Sequence, residues 1–173
     1  MGVYLVVLLP WRMVKTWECL MCGVCCEKFV VPLTQEEVIR LTMKYGPFVV
    51  YKGSRRPTLM RINGRCVFLK NGKCSIQEDK PKACKLWPFH VYDKPLRIED
   101  RNLADYEFLG ETYYIYLDSD CYGINQGSTP VESILPEVMS IKLGLLKDQI
   151  LTTCLLYTSD AADELDGVDL GGR

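Results

Sequence analysis

Histidine occurs once in this chain, at position 90. That scarcity removes H-E-x-x-H metalloprotease chemistry, which needs two histidines, and neither a Ser/His/Asp set nor a Gly-rich phosphate loop is present. Long apolar runs are missing too. The stretch from Val3 to Leu9 is too short to span a bilayer. No Lys or Arg precedes it and no small-residue cleavage site follows, so it makes a weak secretory signal. Neither sign of charge dominates, the formal net charge being −1. No basic stripe with interleaved aromatics exists, so nucleic acid is not an indicated partner. The Lys52, Arg55, Arg56 group reads as a solvated loop. Internal repeats are absent.

Sulfur is what the chain has in excess, with nine cysteines in 173 residues. Four of them, Cys19, Cys22, Cys25 and Cys26, fall inside WECLMCGVCCEKF. The ninth, Cys154, opens an acidic, Gly-rich stretch without hydrophobic period. That stretch, residues 154–173, resembles the conceptual translation of a transposon-type sequencing adapter and is expected to be a non-native, disordered read-through tail. At the other end, residues 1–12 are either a mis-assigned start, with Met13 as the alternative, or an edge strand. Residues 13–153 then form one domain, large enough for a core of its own. Without the tail's single Arg and five acids, the remaining charge is +3.

The pattern predicts an α+β domain of antiparallel hairpins and a few helices. Thr34 and Glu37 make a capping box, with Leu33 and Val38 as its hydrophobic staple. Val38, Leu41, Thr42 and Tyr45 share one face, and Gly46-Pro47 ends that helix. Residues 58–76 read as a strand meander turned at Asn63-Gly64 and at Asn71-Gly72, which puts Cys66 and Cys74 on neighbouring strands of a hairpin. A short helix near Cys84 starts at Pro81 and ends before Pro88. Strands are expected at LRIED and ETYYIYL, a loop at Cys121, and a helix from about Ile134 to Ile150 with Val138, Ile141 and Leu145 inward.

Eight thiols have three chemical uses. A disulfide scaffold needs an oxidising compartment, and the vicinal pair Cys25-Cys26 bridges itself poorly. A thiol redox enzyme needs one C-x-x-C at the end of a strand in a parallel sheet, whereas these strands read as antiparallel. Metal fits the count: thiolate selects zinc or iron–sulfur, with four sulfurs per site. Cys19-x2-Cys22 makes a knuckle, completed by Gly23, whose amides can face sulfur. C-x2-C-x2-C leans towards an iron–sulfur cluster, while knuckles and hairpins equally suit zinc. Position 29 is Phe, so neither the ferredoxin run nor C-x3-C-x2-C is complete. Neighbouring side chains diverge, so Cys25 and Cys26 are expected to serve different centres.

CLMCGVCC, the block from Cys66 to Phe89 and CYGINQG together resemble the CxxCxxCC, or YkgJ-type, family of zinc- or iron-chelating domains over roughly residues 17–150. The resemblance implies metal ligation by Cys19, Cys22, Cys25, Cys26, Cys66, Cys74, Cys84 and Cys121. It also implies likeness to the cysteine-rich part of flagellin lysine methylases, hence accessory or redox roles, with no settled reaction.

Other residues attract simpler readings. His90 reads as a packed or surface residue rather than a ligand or proton relay. Trp87, Pro88 and Phe89 read as shielding for a metal centre. Lys82 and Lys85 read as exposed helix residues, and Asp118 and Asp120 as a solvated loop. The expectation is a cytoplasmic metal-binding protein carrying an iron–sulfur cluster and/or zinc, with electron transfer or cofactor assembly as its work. A zinc-stabilised, non-catalytic interaction module is the alternative. No catalytic residue is assigned, no membrane is indicated, and a protein partner is left open.

Overall fold

The computed structural model describes residues 6–53 and 55–152. Cys154, the tail at 154–173 and the beginning of the Val3–Leu9 run lie outside the described residues. The chain is α+β, with small antiparallel sheets among short helices. Among the described residues no helix is long and apolar enough to cross a membrane.

The first half builds a cysteine-bearing unit. Strand β1 (Leu8–Pro10) leads through buried Trp11 and Trp17 to helix α1 (Val24–Lys28), which carries Cys25 and Cys26. Helix α2 (Gln35–Tyr45) has the expected capping box. The Thr34 hydroxyl accepts from the Glu37 amide at 3.2 Å, and Glu37 Oε2 accepts from the Thr34 amide at 2.8 Å. Gly46 ends the helix. Three small hairpins follow: β2 (Val50–Lys52) with β3 (Pro57–Leu59), β4 (Arg61–Ile62) with β5 (Arg65–Cys66), and β6 (Leu69–Lys70) with β7 (Lys73–Cys74). Both Asn-Gly turns take positive φ at both residues, as a tight two-residue hairpin turn requires. The expectation of one hairpin holding Cys66 and Cys74 is corrected here. The second Asn-Gly turn closes its own two-residue ladder, so the two thiols stand on successive hairpins. Leu41, Leu59, Phe68 and Ile76 form the core of this unit together with Cys26 and Cys66.

The second half supplies a sheet and its covering helix. Helix α3 (Lys82–Leu86) presents Cys84, and β8 (Phe89–Tyr92) enters the main sheet. LRIED is not a strand. Ile98–Asp100 form a 3-10 turn, because the Arg97 carbonyl accepts from the Asp100 amide and the Arg97 guanidinium binds the Asp100 carboxylate at 2.7 Å. Helix α4 (Arg101–Ala104) and β9 (Asp105–Phe108) follow, and then β10 (Glu111–Asp118), the central strand. β8 pairs along one edge of β10, while β9 and β1 pair end to end along the other. β10 is therefore flanked along both edges, and its faces are covered as well. Ile115 and Leu117 pack under α5 (Val131–Lys142), and Tyr114 and Tyr116 fill a smaller cluster with Ala104. The last helix begins earlier and ends sooner than its apolar spacing implies, because Gly144 at φ +76° breaks it. Val138 and Ile141 are buried as expected, but Leu145 beyond the break is 63% exposed.

Candidate metal centre

The eight described cysteines are all thiols, and the fold gathers them from sequence positions a hundred residues apart. Helix α1 is held by two contacts. Gly23 caps it at φ +73°, and a Cβ there would meet the Gly72 carbonyl oxygen at 2.5 Å. Only glycine allows the Cys22–Cys25 turn to sit this close to the β6–β7 hairpin. Arg61 clamps the other end, donating to the carbonyls of Phe29 at 2.8 Å, Glu27 at 2.5 Å and Gly64. α1 is thereby fixed against the hairpins that carry Cys66 and Cys74.

Cys26 is the meeting point. Its thiol shares hydrogen bonds with the thiols of Cys25, Cys66 and Cys74. An S–H donated to a neighbouring sulfur favours thiolate there, while charged sulfurs this close repel one another. Cys25 and Cys66 are accordingly lowered to about 7, and Cys74 to about 6, from an ordinary 9.0, in each case chiefly by the bond to Cys26. Cys26 itself is pushed up, first by its bond to Cys25. Backbone amides add to the effect: Phe68 N–H faces Cys66 and Ile76 N–H faces Cys74, each two residues downstream. Lys80 contributes positive charge beside Cys25 and Cys74. Cys84 joins the group from α3 with Cys25, Cys74 and Cys66 as neighbours, and desolvation drives its thiol well above the ordinary value.

A second group lies across a shared cavity. The loop after β10 is zipped to residues 15–18: Trp17 N–H bonds to the Thr129 carbonyl at 3.1 Å, and Asn125 N–H to the Thr16 carbonyl at 2.8 Å. At Gly123 an added Cβ would lie 2.0 Å from the Glu18 carbonyl oxygen. This packing delivers Cys121 to Cys19 and Cys22. Trp17, 2% exposed, donates its indole N–H to Cys121 Sγ at 3.3 Å, and Gly123 N–H faces the same sulfur. Burial nevertheless dominates and raises Cys121 to about 11. Cys22 is exposed. The cavity between the groups, about 50 Å3, is lined by Cys19, Cys22, Cys25, Cys74, Cys84 and Cys121.

A family model, CxxCxxCC, described as "Putative zinc- or iron-chelating domain", matches residues 18–122. The chain belongs to that family. The matched span covers more than half of the chain and contains all eight described cysteines, but stops before α5. No curated protein and no solved structure matches the chain. The donor set suits the family's ion: soft sulfurs, biased to thiolate by one another, by amide N–H groups and by Lys80. Among the described residues no three Cys, His, Asp or Glu side chains already stand at coordinating geometry. Ligation therefore requires the thiols to turn from one another towards a common centre.

The remaining expectations resolve individually. Cys25 lines the cavity and Cys26 does not, but the vicinal thiols hydrogen-bond to each other within one group, where the expectation has them serving different centres. Trp87 lines the cavity, and Phe89 packs edge-on against Trp17 at 5.3 Å, so the aromatic block does flank the sulfurs. His90 lies in β8 outside the cavity, stacked on Tyr92, with Nε2 3.9 Å from Asp118 Oδ2. Asp118 is 6% exposed, not solvated, because the central strand carries it inward. Asp120 pairs with Lys28 at 3.0 Å. The lysine whose charge lowers Cys25 and Cys74 is Lys80 rather than Lys82 or Lys85. Lys85 Nζ donates instead to the Lys147 carbonyl at 2.6 Å. Sequence reasoning missed Lys80, Arg61 and Trp17. The only signal for the amide contacts is that each of Cys66, Cys74 and Cys121 begins a tight turn.

Proposed function

We propose that this protein holds zinc through its cysteines, and that Cys25, Cys26, Cys66 and Cys74 grip one ion on which the fold depends. The observation that supports this most is the meeting of four thiols from three separate elements at Cys26. These thiols do not yet stand at coordinating geometry, but side-chain rotation towards their common centre would let them share a single ion. In contrast, a multi-iron cluster would be wrapped by the C-x2-C-x2-C run, whose first two cysteines associate with Cys121 and whose third associates with Cys26. The ion would supply folding free energy, about 10 kcal/mol or more for a structural zinc at neutral pH. The residues around it would hold the thiolates ready and keep water from the buried sulfurs. The role that follows is a zinc-stabilised interaction module working in a reducing compartment such as the cytoplasm, where thiols stay reduced.

Anaerobic purification followed by elemental analysis tests the reading. A colourless protein with stoichiometric zinc is expected. A brown protein containing iron and acid-labile sulfide would replace it with the electron-transfer or cofactor-assembly reading.

A further inference from the structure

We infer that the strap of residues 147–152 is a lid over the cysteine cavity. It opens without unfolding the rest of the domain, and its opening sets how fast outside reagents reach the sulfurs and the ion they hold. The inference rests on the proposed function for that ion and adds control of access to it. Buried Thr152 lines the cavity together with Cys25, Cys74 and Cys84. Cys25 and Cys74 are two of the four thiols proposed to grip the ion. A chelator or small thiol that enters where Thr152 sits therefore meets ligand sulfur.

The lid is held down by polar contacts. The Glu137 carboxylate on α5 accepts the amides of Ile150, Leu151 and Thr152 and the hydroxyl of Thr152. Gln149 Nε2 donates to the Thr152 carbonyl at 2.9 Å and to the Lys85 carbonyl at 3.1 Å, next to Cys84 in α3. The Lys85 ammonium in turn binds the Lys147 carbonyl. Apolar burial adds little, because Ile150 and Leu151 are both exposed. A segment held by surface hydrogen bonds rather than by buried apolar contacts opens locally, for less than the free energy of global unfolding. Water replaces those hydrogen bonds once the lid lifts, which keeps the cost of opening low. The strap also begins beyond the break at Gly144, so α5 need not unwind when it moves.

Iodoacetamide labelling of the full chain as purified, read cysteine by cysteine by mass spectrometry, tests this alongside zinc transfer to a chromogenic pyridylazo chelator. Cys84 lines the cavity and reports the lid. Cys66 is buried and does not line it, so it reports opening of the whole domain. Glu137→Gln puts an NH2 group against amide donors. Cys84 labelling and zinc transfer should both accelerate about tenfold, while Cys66 keeps its wild-type rate. Should that variant fail to fold, Gln149→Ala on the lid itself carries the same expectation at about threefold. Equal acceleration at Cys84 and Cys66 would mean general loosening and overturn the inference. Unchanged Cys84 labelling in both variants would overturn it too, as would faster Cys84 labelling with unchanged zinc transfer. A chain that purifies without zinc would remove the proposed function, and Cys84 labelling alone would then decide for or against the lid.

Discussion

At the scale of single residues, Cys26 differs from the other cysteines in kind. It is bonded to Cys25, Cys66 and Cys74, which are lowered to about 7, 7 and 6, so an ion that takes all four sulfurs displaces the Cys26 proton and whatever protons the other three still hold. Metal binding releases those protons, so metal retention should weaken as pH falls through the same values. The sign for stability agrees: thiols with depressed values contribute stability that is fully present above the unfolded value and is lost as pH falls through the folded ones. The metal-loaded protein should accordingly lose zinc and melt at lower temperature as pH falls through about 7 to 6. Zinc content and melting temperature that stay constant across that range would contradict the assignment of these thiols as ligands.

At the scale of elements, one carboxylate links two helices. Glu37 caps α2 through Thr34 and also accepts the Lys82 amide at 2.6 Å, so one carboxylate ties α2 to α3 and hence to Cys84. Glu37→Ala should cost about 2 kcal/mol, more than the roughly 1 kcal/mol of losing Thr34 alone. That corresponds to a fall in melting temperature of about 4–8 °C for a chain of this size, measurable by circular dichroism with metal content unchanged. The capping box itself was legible because it is local, four residues with one reciprocal geometry. The Asn-Gly turns and the alternation of ETYYIYL were legible for the same reason. LRIED misled because an ion pair between Arg97 and Asp100 closes a turn that no β-propensity reveals. The length of the last helix misled because one glycine outweighed its apolar period. Among the cysteines, type and number pointed to metal, but their grouping could not be read. It depends on Arg61 reaching α1 across a hairpin and on Gly123 admitting the Glu18 backbone, both long-range contacts.

At the scale of the whole molecule, the sulfurs lie where two cores meet. Cys19 and Cys121 belong with the sheet and α5, while Cys25, Cys26, Cys66, Cys74 and Cys84 belong with α2 and the hairpins. A C-terminal strap crosses the same seam. Glu137 on α5 accepts the amides of Ile150, Leu151 and Thr152 at 2.7 to 3.0 Å and the Thr152 hydroxyl at 2.7 Å. Thr152 also lines the cysteine cavity. Burial raises the Glu137 carboxyl, but the amides of Leu151, Ile150 and Thr152 together outweigh it and hold it below the ordinary 4.5. The strap's contribution is therefore complete above pH 4.5 and is lost as pH falls through the lower folded value. Glu137→Gln puts an NH2 group against an amide donor, so hydrogen exchange at residues 150–152 should accelerate by about tenfold or more at neutral pH. Unchanged exchange would mean that the carboxylate does not hold the strap.

The metal content of Cys26→Ser, compared with wild type purified anaerobically in parallel, tests the central claim most directly. Structural zinc contributes about as much free energy as a small domain's entire stability, roughly 5–15 kcal/mol. The account predicts that the variant loses the ion gripped at Cys26 and with it the cooperative thermal transition of the wild type. A variant that kept the full metal-to-protein ratio and the wild-type melting curve would contradict it.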